Sequence, residues 1–147
     1  MIDRRHIGYE TPPFSVEVEK GRLRLFAKAI GETDPKYFDE AAARAAGYRS
    51  LPVPPTFLFC LEMEQPDPYA WFADVGIELP KVLHGEQSFT YHRTACAGET
   101  LTFRSKVVDI YDKKGGLLEF VVQDNFVTDE QGAAVAEFRR SIVIRNG

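Results

Sequence analysis

A short segment near the middle of the chain constrains the fold more than any other part of the sequence. The segment Pro55–Met63, PTFLFCLEM, begins with a proline, which suits the first turn of a helix. The residues after this proline are apolar on every side of the predicted helix. Because a helix without a polar face has to be covered by other elements, we expect this helix to lie at the centre of the fold.

The chain after Lys81 predicts the layer that surrounds this helix. Alternating apolar and polar residues are typical of half-buried strands, and the turn segments DKKGG and DEQG separate antiparallel neighbours. The predicted strands are Gln87–Arg93, Thr100–Tyr111, Leu117–Thr128 and Ala133–Arg145, with Phe14–Glu19 as a fifth from the beginning of the chain. The alternation changes phase at Val108, which predicts a β-bulge.

Further helices are predicted between the first strand and the central helix, and after it. Apolar residues recur at helical spacing over Leu23–Ile30, which indicates an amphipathic helix. Asp34 and Pro35 suit the N-cap and the first position of another helix, over Lys36–Ala46. A short helical turn is predicted at Tyr69–Val75, and the residues before the first strand are predicted to form an arm laid over the fold.

These elements predict an α+β protein. The economical arrangement is a curved antiparallel β-sheet wrapped around the central apolar helix, which is the hot-dog fold. At 147 residues the chain is expected to form a single domain, 1–147. A five-stranded sheet of this kind has exposed edge strands that commonly pair with a second chain, so we expect a dimer.

Composition and charge argue against several classes of partner. The formal net charge is −4 and the Lys and Arg residues are spread along the chain, so nucleic acid is not an expected ligand. The longest nearly apolar run, Thr56–Leu61, is far shorter than the ~20 residues that a membrane helix needs. Cys60 and Cys96 lack metal-ligand spacing, and no secretory leader is present. We expect a cytoplasmic protein without a metal ion.

Polar side chains are concentrated in Val82–Leu101, VLHGEQSFTYHRTACAGETL. In the predicted strand, Phe89, Tyr91 and Arg93 share one face, and His92 belongs to the other. We expect Phe89 and Tyr91 to pack in the core and His92 to face solvent. The segment has the residue types of a composite polar site, although a strand with a polar outer face would have a similar sequence.

The same segment carries a resemblance to a known family. Val82–Leu101 resembles the L-H-G-E-Q-x-F-x-Y-H-R-x-x-x-x-G-[DE]-x-L stretch of the N-terminal MaoC-like (FAS1-like) dehydratase domain. Ala29–Gly47, AIGETDPKYFDEAAARAAG, resembles the G-D-x-N-P-x-H-x-D segment and Ala-rich helix of MaoC-like hydratases and dehydratases. The closing Phe120–Ile144 also fits the final hairpin of that family. The resemblance covers essentially the whole chain and implies a hot-dog fold.

The resemblance implies a reaction on acyl thioesters, but this chain lacks the catalytic residues that active relatives use for it. The family's substrates are acyl thioesters of coenzyme A or acyl carrier protein, and no cofactor is needed. Active relatives, the (R)-specific enoyl thioester hydratases, use an Asp and a His to add or remove water at the α,β-double bond. In this chain Glu32 stands in place of that Asp, Asp34 in place of the Asn and Tyr37 in place of the His. Tyr, with a reference pKa of roughly 10 against ~6.5 for His, is a poor base near neutral pH.

Three residues are candidates for catalysis. His84, expected where the strand meets the preceding connection, would replace the missing His, with Glu86 as its orienting carboxylate. The alternative is that both residues bond the backbone near a dimer seam. Glu32 would serve as a base if burial raised its pKa. Asp34 is explained without catalysis as a helix N-cap.

Substrate contacts are predicted from Asp34, Tyr37, Thr56, Phe57, Tyr91 and Arg93. In the related enzymes, backbone N–H groups at a helix N-terminus polarise the thioester carbonyl, and here Thr56 and Phe57 would supply them. Their default role is in the core. Arg93 would meet a phosphate of the pantetheine-linked substrate, or else form a surface ion pair.

Three functions remain open from the sequence. The first is reversible hydration of a 2-enoyl thioester to a 3-hydroxyacyl thioester by this chain. The second is a non-catalytic subunit that shapes the acyl tunnel for a MaoC-like partner carrying the Asp and His, so that the assembly is a heterodimer rather than a homodimer. The third is an acyl-CoA thioesterase in which Glu32 or Glu86 activates water.

Overall fold

The computed structural model describes residues 1–147 as five strands, four α-helices and three short 3₁₀ turns. The strands are β1 (Phe14–Glu17), β2 (Val82–Tyr91), β3 (Thr100–Lys113), β4 (Leu118–Thr128) and β5 (Ala134–Arg145). The helices are α1 (Lys20–Ala29), α2 (Glu40–Ala45), α3 (Phe57–Glu62) and α4 (Trp71–Val75). The 3₁₀ turns are Arg4–His6, Pro35–Tyr37 and Leu79–Lys81. None of the helices has the length and apolarity needed to cross a membrane.

The strands form one antiparallel sheet in the order β1-β3-β4-β5-β2. The predicted bulge in β3 is confirmed, because the register with β4 shifts between Val107 and Asp109. The sheet curves around α3, so the predicted α+β hot-dog fold is confirmed. β1 and β2 are the edge strands.

Apolar side chains of α3 fill the concave side of the sheet. Phe57, Leu58 and Leu61 are buried and belong to one cluster with Leu101 of β3 and Phe138 of β5. Helix α3 is shorter than predicted, because Thr56 before it has a left-handed backbone with φ of 71°. The prediction that the helix is apolar on every side is wrong at Glu62.

The predicted single helix over Lys36–Ala46 is two separate elements. Asp34 caps the 3₁₀ turn Pro35–Tyr37 by accepting a hydrogen bond from Lys36 N–H at 3.1 Å. Asp39 then caps α2 by accepting from Ala42 N–H at 2.8 Å. A second N-cap in an extended conformation interrupts the helical backbone, which is why the segment divides.

The arm predicted before β1 is confirmed. Its backbone pairs with β3, with Gly8 N–H donating to Val107 O at 2.8 Å and Val107 N–H donating to Tyr9 O at 2.9 Å. The Tyr9 hydroxyl also bonds to Asp74 Oδ2 of α4 at 2.5 Å. The arm therefore joins the sheet to α4.

Candidate functional site

Strand β2 runs beside α3 and distributes the predicted site residues between two cavities. His84 lies near one end of the strand and Tyr91 at the other. At roughly 3.3 Å per residue their Cα atoms are about 23 Å apart along the strand. The polar residues of Val82–Leu101 therefore do not converge on one composite site.

The first cavity, here called the tyrosine pocket, lies at the start of α3. It encloses about 210 Å³ and is lined by Tyr37, Tyr48 and Tyr91, together with Val53, Leu58 and Arg93 among others. Phe89 packs against the core as predicted. The prediction that Tyr91 is a core residue is wrong, because 47% of it is exposed. Its hydroxyl instead accepts a hydrogen bond from Thr56 N–H at 2.9 Å, which requires a position at the rim of the core.

The loop that leads to Tyr37 holds its own carboxylates. Glu32 Oε1 accepts hydrogen bonds from Thr33 N–H at 2.8 Å and Asp34 N–H at 3.0 Å. The side chain of Asp34 bonds to the Lys36 ammonium at 2.8 Å, and the hydrogen bonds from Lys36 lower the pKa of Asp34. The predicted N-cap role of Asp34 is confirmed, and Glu32 serves as a local cap of the same loop.

Tyr37 projects into the tyrosine pocket as a protonated phenol. Burial raises the pKa of Tyr37 above its ordinary value of 10.0, with the neighbouring Lys36 acting in the opposite direction. A phenol with a raised pKa donates a hydrogen bond near neutral pH and does not abstract a proton. None of the three histidines of the chain lines this pocket.

The two backbone amides proposed for the thioester carbonyl are both engaged within the protein. Thr56 N–H donates to the Tyr91 hydroxyl, as described above. Phe57 N–H donates to Pro54 O at 3.1 Å, and the Phe57 side chain is buried in the core. In this conformation neither amide is free to polarise a ligand carbonyl. Phe57 has its default core role, whereas Thr56 is exposed.

Arg93 is held by two carboxylates. Its Nη2 atom lies 2.8 Å from Glu99 Oε1 and 2.9 Å from Asp129 Oδ2. The hydrogen bond to Glu99, followed by that to Asp129, raises the pKa of Arg93, and the same contact lowers the pKa of Asp129. Glu99 is buried and also pairs with Arg49 at 2.6 Å. The placement favours the structural alternative, an ion pair, over a contact with a substrate phosphate.

The second cavity, here called the apolar cavity, lies beside the C-terminal half of α3 and encloses about 400 Å³. Its walls include Phe59, Met63, Trp71, Phe72, His84 and Ile142. The ring of His84 meets the ring of Phe59 edge-on at 6.0 Å between centroids. His84 is thus an imidazole beside an apolar chamber. His, Cys, Asp and Glu side chains nowhere form a group of three or more that could hold a metal ion.

His84 and Glu86 do not form the predicted pair. Strand β2 begins at Val82, so His84 lies inside the strand and not at its start. The register with β5 passes from His84 opposite Ile142 to Glu86 opposite Ser141, which leaves Gly85 as the extra residue of a bulge. Because directly opposed residues share a face, His84 shares the strand face of Ile142, where it is itself exposed, and Glu86 lies on the other face. Glu86 therefore does not orient His84.

His92 faces away from the core, as predicted. Its Nε2 atom lies 3.3 Å from Glu137 Oε2 of the neighbouring strand, and both side chains are largely exposed. An exposed pair of this kind contributes little to stability.

Sequence reasoning missed a buried polar cluster beneath α3. Glu62 and Arg140 are only 2% and 6% exposed, and they form two hydrogen bonds, Nη1 to Oε2 at 2.9 Å and Nη2 to Oε1 at 3.2 Å. Burial raises the pKa of Glu62, and Arg140 opposes that rise. The signal was present in the sequence, because Arg140 shares the strand face of Phe138 and Ile142, and Glu62 belongs to the apolar helix.

Comparison with known proteins agrees with this architecture. A family model described as "FAS1-like, dehydratase domain region" matches residues 5–138. The chain belongs to this family. The FAS1-like dehydratase family includes MaoC-like hot-dog proteins, so the resemblance noted for Val82–Leu101 is confirmed.

Relatives of this FAS1-like dehydratase domain match most of its length. A UPF0336 protein of Saccharopolyspora erythraea is 34% identical over 145 residues, which are 98% of this chain and 92% of the relative. A UPF0336 protein of Parafrankia is 38% identical over 138 residues, 90% of this chain and 85% of the relative.

Solved structures of two complexes and one hydratase are similar. A chain of the HadBC (3R-hydroxyacyl-ACP dehydratase) complex from Mycobacterium tuberculosis matches with a TM-score of 0.80 and 28% identity, over 94% of this chain and 96% of that one. A chain of the ChsH1–ChsH2 complex from the same organism matches with a TM-score of 0.73 and 26% identity, over 93% of this chain and 89% of that one. R-hydratase PhaJ1 from Pseudomonas aeruginosa matches with a TM-score of 0.72 and 18% identity, over 96% of this chain and 83% of that one. At this identity the match shows the fold alone.

Proposed function

We propose that this chain is the acyl-thioester-binding subunit of a heteromeric hydratase or dehydratase, and that a partner hot-dog chain supplies the catalytic Asp and His. The observation that carries the proposal is Tyr37, a protonated phenol where the family resemblance places the catalytic His. Asp34 and Glu32 beside it are occupied as caps of their own loop. The tyrosine pocket thus has hydrogen-bond donors but lacks an imidazole base.

The apolar cavity supports the binding part of this proposal. A chamber of about 400 Å³ lined mainly by aromatic and aliphatic side chains suits an acyl chain, whose burial is favourable because it removes apolar surface from water. The substrates would be 2-enoyl and 3-hydroxyacyl thioesters of coenzyme A or acyl carrier protein. In the reaction, water adds its hydroxyl to C3 of the enoyl chain and a proton to C2, or leaves by the reverse steps.

The edge of β2 supports the heteromeric part. Leu83 and Tyr91 on this strand are 52% and 47% exposed, and only one side of the strand is paired within the chain. An unpaired edge with exposed apolar side chains is suited to association with a second sheet. The similar chains from the HadBC and ChsH1–ChsH2 structures named above each belong to a complex of two different subunits.

Hydration of crotonyl-CoA tests the proposal. The purified chain is expected to show no loss of enoyl absorbance alone. It is expected to raise the rate of the product of any adjacent MaoC-like gene above the rate of that product alone. Robust turnover by the isolated chain would contradict the proposal. Release of free thiol, measured in the same samples, would indicate the thioesterase alternative, since hydration releases none.

The intrinsic hydratase stays a second candidate because His84 is an imidazole that lines the apolar cavity. It predicts turnover by the isolated chain that is lost in His84→Ala. If the isolated chain is active and His84→Ala retains full activity, His84 does not replace the missing His. His92→Ala is the matched control, because His92 lies on the exposed face of the neighbouring segment.

A further inference from the structure

A wall of shared residues lies between the apolar cavity and a neighbouring chamber. The chamber beyond the wall encloses about 230 Å³ and is bordered by the arm residues Thr11–Phe14 and by polar residues that include Gln65 and Asp67. Pro68, Trp71 and Arg140 line both spaces. These three residues therefore border both spaces, and an acyl chain that extended from the apolar cavity toward the neighbouring chamber would meet them.

Arg140 is the charged residue of this wall, and it pairs with Glu62, which lines only the neighbouring chamber. Beyond the two hydrogen bonds that join these residues, Arg140 Nε donates to Gln123 Oε1 at 2.7 Å, and Ser105 Oγ donates to Glu62 Oε1 at 3.2 Å. Ser105 also bonds to Asn125 Oδ1 at 2.6 Å. Each group of the pair is thus fixed by neighbours on the sheet, so the wall cannot rotate aside without the loss of several buried hydrogen bonds.

The wall remains polar on its flanks. Gln87 of β2 and Gln123 of β4 lie directly opposite Arg140 in the strand registers, one on each side of β5. Their Nε2 atoms are buried and have no hydrogen-bond partner within the protein. Neither glutamine lines the apolar cavity, so the cost of passing the wall falls on the pair itself. A chain that displaced Arg140 from Glu62 would leave both charges buried without a partner, which is costly. An apolar chain is therefore expected to stop here.

We infer that the Glu62–Arg140 pair sets the maximum length of the acyl chain that this protein accepts. The inference rests on the proposed function, because it takes the apolar cavity as the acyl site. Chains up to the wall gain affinity with each buried methylene, whereas longer chains must leave their end outside the cavity or break the pair. The pair is thus a specificity-determining element and takes no part in the chemistry.

Binding of a series of saturated acyl-CoAs, from butyryl- to hexadecanoyl-CoA, tests this inference by calorimetry. For the wild type, affinity is expected to rise about fourfold per added methylene and then to stop rising at one chain length. In the triple variant Glu62→Leu, Gln123→Leu, Arg140→Met both charges and the amide are removed together, so no buried charge is left unpaired. Its affinity is expected to continue rising to longer chains.

A matched control lies on the other face of the same strands. Asp124 and Arg139 form an exposed bidentate pair, at 2.5 and 2.8 Å, one position away from Gln123 and Arg140. The double variant Asp124→Leu, Arg139→Met should leave the chain-length limit of the wild type unchanged. A triple variant with the same limit as the wild type would overturn the inference. Absence of binding at every chain length would instead contradict the proposed function.

Photolabelling of the wild type gives a second test that does not depend on the folding of a variant. Acyl-CoAs with a diazirine at the end of the chain would be irradiated in complex, and the labelled peptides identified by mass spectrometry. Long chains are expected to label residues that line only the apolar cavity, such as Met63 or Phe72, and never Thr11–Phe14. Labelling of Thr11–Phe14 in the wild type would show that chains pass the wall and would overturn the inference.

Discussion

The Tyr91 hydroxyl accepts a hydrogen bond from the Thr56 N–H at 2.9 Å and joins the edge strand β2 to the start of the central helix. This contact places a phenol oxygen at the beginning of a helix whose first residue follows a left-handed backbone at Thr56. It also fixes one wall of the tyrosine pocket. The Tyr91 hydroxyl therefore contributes both to stability and to the shape of the pocket.

Tyr91→Phe removes that acceptor without changing the ring. Because Thr56 is exposed, its amide can bond to water, and we expect a loss of only about 0.5–1 kcal/mol in the free energy of unfolding. Urea denaturation with an unchanged m-value would measure it. Tyr111→Phe is the control, since the Tyr111 ring stacks on Phe120. Equal effects in both variants would contradict a specific role for the Tyr91 hydroxyl.

Arg140→Met leaves Glu62 buried without its partner, and is expected to cost about 3–5 kcal/mol of stability. Burial already raises the folded pKa of Glu62 above its ordinary 4.5, and loss of Arg140 raises it further. Because the folded pKa is raised, protonation of Glu62 stabilises the folded state fully below pH 4.5, the ordinary pKa. This contribution to stability is lost as the pH rises through the folded pKa. The variant should therefore be less impaired near about pH 5 than near about pH 7.

The double variant Glu62→Gln, Arg140→Met checks this explanation, because it removes the charge that Arg140→Met leaves unpaired. We expect it to be more stable than the single variant near neutral pH and to lack the steep pH dependence. If the two variants unfold at the same urea concentration at both pH values, the unpaired carboxylate is not the cause of the loss.

Tyr9 should titrate later than an ordinary tyrosine. Its hydrogen bond to Asp74, together with burial, raises the pKa of Tyr9 to about 12. The phenol form is favoured in the folded state. The stability that this bond contributes is therefore present below pH 10, the ordinary pKa of tyrosine, and is lost as the pH rises through about 12. Spectrophotometric titration of the six tyrosines should show a late step that is absent in Tyr9→Phe. Persistence of the step in that variant would assign it to another residue.

Gly85→Ala and Gly21→Ala are expected to change stability in opposite directions. A Cβ at Gly85 would lie 2.6 Å from Val143 Cγ2 and 3.0 Å from Ser141 O, so the bulge must shift, at a cost of about 1–3 kcal/mol. At Gly21, inside α1, no atom lies within 4 Å of the added Cβ. There Ala should stabilise the helix by about 0.5–1 kcal/mol. Thermal unfolding of both variants measures the difference, and a neutral Gly85→Ala would show that β2 has room to adjust.

Much of the fold followed from local patterns in the sequence. The alternation in β3 predicted a bulge near Val108, and the structure has it between Val107 and Asp109. The proline and the apolar run identified the central helix, because a segment such as Phe57–Leu61 has no stable position other than the core. These features depend on residues that are close in sequence, which is why they could be predicted.

The arrangement of the site depends on contacts that local patterns do not encode. In a regular strand, residues two apart share a face, so the sequence alone places His84 and Glu86 together. The bulge at Gly85 instead turns Glu86 to the face opposite His84. Tyr91 has the phase of a core residue, yet its hydroxyl needs the Thr56 amide, and this contact spans 35 residues of sequence. The Glu62–Arg140 pair spans 78 residues of sequence, and a single charged residue in an otherwise apolar helix or strand face does not identify its partner.

The two edges of the sheet differ in what they offer to another chain. On the β1 side, the four residues of the strand follow Pro12 and Pro13, which have no N–H to donate, and lead directly into α1. On the β2 side, a strand of ten residues presents its outer backbone groups. If such chains pair through their sheets, the β2 edge is the one suited to it, and an assembly that used this edge alone would close after two subunits without propagating into a fibre.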